Sequence, residues 1–200
     1  MLVVRPSLYQ KAMQTEGFFS EGEASLLIAS IAAAGKSALM LEIGSYLGRS
    51  SLFALSALSE GQRWLIVDSF RTAAAYRDHS FWLLDAALER FATILPCTLQ
   101  QAYPHLCSRR FDLVFVDGDH SFIGFATDIA LSLALLNVGG MLLCHDVSET
   151  FPGVSLTVSE LSAAGVIAEE ERAESLVRFR VCARPTWLID PEPYRDGSLP

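Results

Sequence analysis

At 200 residues, with 51% hydrophobic and 19% charged residues, the chain is long and apolar enough to bury a sizeable core, and its balance is the opposite of a disordered one. A net charge of −8 argues against nucleic acid or an anionic membrane as partner, because both attract basic surfaces. The start, residues 1–10, lacks a cationic flank followed by an apolar signal core, and the apolar stretch 129–144 is broken by Ser132, Asn137 and Gly139-Gly140. Cys97, Cys107, Cys144 and Cys182 show no paired spacing, which implies free thiols in a reducing compartment. A soluble, cytoplasmic protein is expected.

Ser20 with Glu23 forms a capping-box signature ahead of Leu26, Leu27 and Ile31, and Gly35 marks where that helix stops. Residues 38–43 read as a buried strand. A turn over 44–49 and a helix over about 50–59 follow, then a second strand, 64–67, that ends on Asp68. Phe81, Leu84, Leu88, Phe91 and Leu95 recur at helical spacing up to Pro96, with 97–99 as a third strand. Residues 113–116 form a fourth strand, followed at once by Asp117-Gly118-Asp119-His120. A helix then runs to about 136, and Gly139-Gly140 turns the chain into a fifth strand, 141–144, that ends on His145-Asp146. After a helix over 154–163, segments 166–170 and 176–182 remain. Val177, Phe179 and Val181 alternate with Arg178 and Arg180, as on a half-exposed antiparallel edge.

Short buried strands alternating with helices predict a doubly wound α/β domain. Its sheet is expected to be mostly parallel and seven-stranded, with a C-terminal antiparallel pair. No repeat or linker interrupts the chain, so a single domain over 1–200 is expected, with 1–20 and 185–200 as peripheral segments. The proline-rich end (Pro185, Pro191, Pro193, Pro200) cannot continue a helix or a central strand, and is expected to pack on a partner protomer in a homodimer.

In such a sheet, ligands bind at the carboxyl ends of the strands. Polar residues stand at those ends here: 42–49, Asp68, 117–120 and His145-Asp146. Gly44 and Gly48 permit a sharp turn and close approach of a ligand, and the helix after them offers backbone N–H groups. Asp68 lies twenty residues beyond Gly48, the separation that suits a carboxylate accepting ribose hydroxyls. A dinucleotide fingerprint is missing, because bulky Tyr46 stands where a second glycine is needed, and there is no phosphate loop. Asp117-x-x-His120 and His145-Asp146, converging from adjacent strand ends, suit a divalent cation.

The segments LEIGSYLGRSS (41–51), IVDSF (66–70), FDLVFVDGDHSF (111–122) and GGMLLCHDV (139–147) carry a resemblance spanning about residues 17–182. The chain resembles class I S-adenosylmethionine-dependent methyltransferases, in particular the family of macrocin and mycinamicin sugar O-methyltransferases and their cephalosporin-biosynthesis relatives. That resemblance implies a Rossmann-like fold and S-adenosylmethionine as cofactor. Gly44, Ser45, Gly48 and Ser50 would line its methionine end and Asp68 would hold its ribose, with Glu42, Tyr46, Ser69, Gln101 and Asp117 completing the seat. It further implies a metal at Asp117, His145 and Asp146, and His120 as general base for a small-molecule hydroxyl.

Two departures stand out. His145 replaces an acid of the pattern, which favours a weaker magnesium site or a softer ion such as manganese or zinc. Gln100-Gln101-Ala102 replaces a polar pair that contacts adenine, with Gln101 as a substitute partner for the adenine amino group. The rings of Tyr46 and Trp82 are expected to pack, His79 and His105 to lie on the surface, and Asp119 to face solvent or the next helix start. Competing readings are a metal-independent methyltransferase, a nucleotide-dependent oxidoreductase, and a non-catalytic S-adenosylmethionine-binding module.

Overall fold

A computed structural model describes residues 5–70, 78 and 88–185. Its elements, in chain order, begin with helices α1 (Pro6–Gln14) and α2 (Glu21–Ala33), strand β1 (Leu39–Ile43), helix α3 (Arg49–Ala57) and strand β2 (Arg63–Val67). A short 3-10 turn (Leu88–Arg90) leads to β3 (Ala92–Leu95), α4 (Leu99–Leu106), β4 (Phe111–Val116) and α5 (Phe122–Leu135). The chain closes with β5 (Leu136–Cys144), α6 (Pro152–Ala163), β6 (Ile167–Ala173) and β7 (Leu176–Val181).

Among the described residues the sheet has seven strands in the order β3-β2-β1-β4-β5-β7-β6. The first five are parallel, and β7 runs antiparallel to both β5 and β6. The central strands are apolar on both faces because helices cover both. Met40, Leu113, Phe115 and Leu143 pack under α1, α2 and α3. Their neighbours Leu41, Ile43, Val114, Val116 and Leu142 pack under α4, α5 and α6. Strand order reverses between β1 and β4, which opens a crevice at their carboxyl ends.

Local signals explain most boundaries. Ser20 and Glu23 form a reciprocal capping box that starts α2. The Ser121 hydroxyl accepts from Gly124 N to start α5, and Pro152 occupies the first turn of α6, where its missing N–H is harmless.

Three expectations are corrected. Residues 97–99 are no strand; Thr98 caps α4, and the third strand lies earlier, at Ala92–Leu95, so Phe91 and Leu95 are not helical. The alternating strand β7 is not the edge. That place belongs to β6, whose exposed Glu169, Glu170 and Glu171 guard it against further pairing. Gly139-Gly140 does not precede the fifth strand but lies inside β5. Helix α1, which the sequence reading did not find, packs against α3, with Tyr9 edge-on to Phe53. Residues 1–4, Phe81, Leu84, Trp82, His79 and everything past 185 lie outside the described residues. No helix of the described residues is long and apolar enough to cross a membrane.

Candidate active site

The first wall of the crevice is the turn between β1 and α3. Gly44 and Gly48 hold φ of +82° and +86°, and Tyr46 between them holds +50°. The close approach expected at Gly44 is made by the chain itself. A Cβ there would lie 2.0 Å from the Asp117 carbonyl oxygen and 2.7 Å from Gly118 Cα, so the glycine lets the exits of β1 and β4 touch. Gly48 is the N-cap residue of α3.

Asp68, at the end of β2, accepts from Ser45 N at 2.7 Å and Tyr46 N at 2.9 Å on one oxygen, and from Phe70 N at 2.7 Å on the other. It therefore joins the first two strand exits, and about one of its four acceptor positions is left. Ser69 beside it is exposed. Tyr46 does not pack into the core: its ring is 54% exposed and stacks on Phe18, itself 90% exposed, with centroids 6.5 Å apart.

Glu42 and Ser50 stand behind the turn and not on its open side. The fully buried Glu42 carboxylate accepts from Ser50 Oγ at 2.6 Å, Ser51 Oγ at 2.8 Å and Trp64 Nε1 at 2.6 Å. Ser51 in turn shares a hydrogen bond with Ser45 Oγ, which ties the turn to this buried centre. Burial pushes the Glu42 carboxyl up to about 7, against the three donors that favour its charge. The folded protein thus holds a proton that the unfolded chain releases between pH 4.5 and about 7, so stability falls as pH rises through that window. Glu42→Gln carries no such proton. Between pH 5 and pH 8 its unfolding free energy, measured in urea, is expected to fall less than that of the wild type by a few kcal/mol, at about 1.4 kcal/mol per pH unit. Equal losses would mean that the carboxyl is already ionised at pH 5.

The second wall is a cluster of acids and imidazoles from β4 and β5. His120 Nε2 lies 2.9 Å from Asp146 Oδ2 and 3.6 Å from Asp117 Oδ1. Asp146 holds φ +59°, a left-handed conformation that aims its carboxylate into the cluster. Contacts with Asp117 and Asp146 push the His120 imidazole up to about 9, against its burial. The same contacts, with His145, hold Asp146 below the usual carboxylate range although burial opposes this. The ring of Phe151 lies 4.6 Å from that of His120, and Asp119 accepts from Ser121 N at the start of α5.

His145, the third residue expected at the ion, lies deeper than His120. It is only 3% exposed, with Nδ1 3.0 Å from Asp117 Oδ1 and 3.4 Å from Asp146 Oδ2, and Nε2 3.2 Å from Glu23 Oε1. Burial opposes its charge, yet the three carboxylates outweigh that and push it up to about 12. Both ring nitrogens face acids, an arrangement that favours the charged imidazole. Among the described residues, a group able to take an ion is Asp117, His120 and Asp146, whose ligand atoms lie within 4.8 Å of one another. Nε2 of His120 and Nε2 of His145 are both buried without an in-line hydrogen bond, although a carboxylate oxygen lies 2.9 Å from the first and 3.2 Å from the second.

Gln101 sits in the first turn of α4, exposed, where its Oε1 accepts from Thr98 N in a capping box. Its carbonyl thus has a local partner. Residues missed by the sequence reading are Glu23, whose capping role concealed its contact with His145, and Arg49. The Arg49 guanidinium reaches the carbonyls of Ala12, Met13, Thr15 and Phe19, and so bolts the N-terminal segment beside the glycine turn. A separate groove of about 450 Å³ between α5 and α6 is lined by apolar residues such as Ile129, Leu156 and Leu161, with Glu160 as its one charged residue. The titratable groups gather instead at the strand ends.

The seven-stranded 3-2-1-4-5-7-6 sheet carries an acid at the second strand exit and a glycine turn at the first. Residues 41–147 match the family described as methyltransferase domain, and the chain belongs to that family, a class I S-adenosylmethionine-dependent methyltransferase. No curated protein matches the chain significantly. Among solved structures, it is similar to the O-methyltransferase from Bacillus cereus in complex with SAH, at 15% identity and a TM-score of 0.69, covering 90% of this chain and 91% of that one. It is also similar to the O-methyltransferase TomG from Streptomyces achromogenes, involved in tomaymycin synthesis and solved with SAM. There the identity is 19% and the TM-score 0.68, with 92% and 93% of the chains covered. At these identities the likeness establishes the fold.

Proposed function

We propose that this protein transfers the methyl group of S-adenosylmethionine to a hydroxyl of a small molecule at the Asp117–His120–Asp146 cluster. The observation that carries this reading is the adjacency of two built walls across the β1–β4 crevice, Gly44 packing directly on the Asp117–Gly118 backbone. A cofactor on the glycine turn would lie beside a group able to take a proton. The cofactor-bound O-methyltransferases of the same fold support the choice of chemistry.

In this reading Asp68 accepts from the ribose, and Gly44, Ser45, Tyr46 and Gly48 shape the methionine end. Glu42 and Ser50 keep the turn in place from behind. His120 Nε2 takes the acceptor's proton as its oxygen attacks the methyl carbon and the sulfur departs with the bonding pair. Most of the rate comes from holding oxygen and methyl group in line, because the sulfonium is already electrophilic. A divalent ion fits Asp117 and Asp146, since magnesium needs one or two carboxylates and keeps several waters. When bound, it would lower the pKa of the acceptor hydroxyl. A softer ion would also take His120 Nε2, which would make that residue a ligand in place of a base.

The test is transfer of labelled methyl from S-adenosylmethionine to a panel of phenolic and sugar hydroxyls, with and without chelator. Transfer to a hydroxyl supports the reading, and its loss on chelation supports the ion. Cofactor binding without transfer to any acceptor of the panel favours a non-catalytic binding module. Asp68→Ala is expected to weaken cofactor binding by roughly 10–150-fold, the equivalent of one charged hydrogen-bond set of about 1.5–3 kcal/mol. Calorimetric titration reads this, and an unchanged affinity would remove Asp68 from the seat.

A further inference from the structure

We propose that Glu23, on the first turn of α2, is a positioning residue of the acceptor site and acts through His145. This inference rests on the function proposed above and concerns what holds the Asp117–His120–Asp146 cluster in shape. Glu23 is 2% exposed, and each of its oxygens has structural partners. Oε2 accepts from Ser20 N at 2.9 Å, the return half of the capping box. Oε1 accepts from Ser175 Oγ at 2.6 Å and Ser175 N at 3.2 Å, 152 positions away in sequence. The same Oε1 meets His145 Nε2 at 3.2 Å.

A cap at the surface of a protein needs one oxygen and no burial. Here the acid is buried with a second set of partners, which the helix start does not require. Its other neighbour is the imidazole whose opposite nitrogen lies against Asp117 and Asp146. The chain of contacts therefore runs from α2 through Glu23 and the His145 ring to the two carboxylates, and from them to His120. The turn between β6 and β7 joins it, because Ser175 O accepts from Val147 N, just past Asp146, and Glu174 Oε1 accepts from Ser20 Oγ. Phe19 packs 5.3 Å from the His145 ring, so the ring is held on its face as well as at its nitrogens.

A carboxylate that binds an ion or orients a base is useful only in one rotamer. Outer partners that fix such rotamers typically change metal affinity or activity 10–100-fold when removed.

The test compares the full-length wild type with Glu23→Gln and Ser20→Ala. Ser20→Ala removes the hydroxyl of the same capping box, and with it the Glu174 contact, but leaves the Glu23–His145 contact, so it reports what loosening the α2 start does without touching that pair. The first readout is Mn²⁺ binding by electron paramagnetic resonance. Glu23→Gln is expected to weaken it roughly 10–100-fold, and Ser20→Ala to leave it within about twofold for a comparable drop in melting temperature. The second is the exchange-protected, downfield Nε2–H of His145, the ring nitrogen that faces Glu23, in proton NMR, assigned by its absence in His145→Asn. It is expected in the wild type and Ser20→Ala, and lost in Glu23→Gln. Equal losses in both variants, or wild-type behaviour of Glu23→Gln, overturn the proposal. If the wild type binds no Mn²⁺, the ion assigned to the site is wrong, and the ring N–H alone decides whether Glu23 positions His145.

Discussion

His120→Ala is expected to lower methyl transfer by about 10²–10⁴-fold, the range for loss of a positioned acid–base group. Cofactor affinity should stay within about twofold, because the glycine turn and Asp68 are untouched. The reason lies in the cluster's geometry. His120 Nε2 is the one neutralisable nitrogen facing Asp117 and Asp146 from the α5 side, while His145 is locked below them between acids. Because contacts with those acids push His120 up to about 9, a rate that depends on its neutral form should climb with pH toward that value. Steady-state kinetics from pH 6 to 10 would read both effects. A rate independent of pH over that range, or a variant within tenfold of the wild type, would assign the proton elsewhere.

Gly44→Ala is expected to be the most damaging small substitution in the described chain. Two effects add at this position. A left-handed φ of +82° strains any side chain by about 1–3 kcal/mol, and a Cβ 2.0 Å from the Asp117 carbonyl forces the β1 and β4 exits apart for a further 1–3 kcal/mol or more. The resulting loss, roughly 3–5 kcal/mol, corresponds to a melting temperature about 10–15 °C lower in a chain of this size. Gly139→Ala provides the control. Its φ is +83°, but nothing lies within 4 Å of the added carbon, so it should show the strain alone. If the two variants melt together, the contact between the two strand exits is not what Gly44 secures.

The residues that mark the strand exits were legible because each exit breaks an apolar run with a glycine, an acid or a histidine. Glu42, Asp68, Asp117 and His145-Asp146 were found in this way, and the doubly wound sheet followed from the alternation of short strands and helices. Failures came where local pattern carries no information about neighbours. The alternation of Val177, Phe179 and Val181 identifies a strand with two unlike faces, yet cannot say that β6 will lie outside it. Phe91 and Leu95 fit a helical stripe as well as a strand, and burial beside β2 decided for the strand.

The site shows the same limit. Sequence spacing could name His120 and His145 but not distinguish their roles. What separates them is Glu23, which comes from a helix far earlier in the chain, where its capping role accounts for it locally. A buried partner distant in sequence leaves no local signal, so spacing alone cannot separate the two histidines. The glycines of the turn signal a close approach, and at Gly44 the approaching group is the Asp117–Gly118 backbone.

The central claim is that the Gly44–Asp68 side of the crevice seats S-adenosylmethionine. Calorimetric titration of the purified full-length protein with S-adenosylmethionine, its demethylated product and NAD tests it most directly. Saturable binding of the first two, weakened by Asp68→Ala, with none for NAD, is the predicted result. Binding of NAD alone, or of neither sulfur compound, would contradict it.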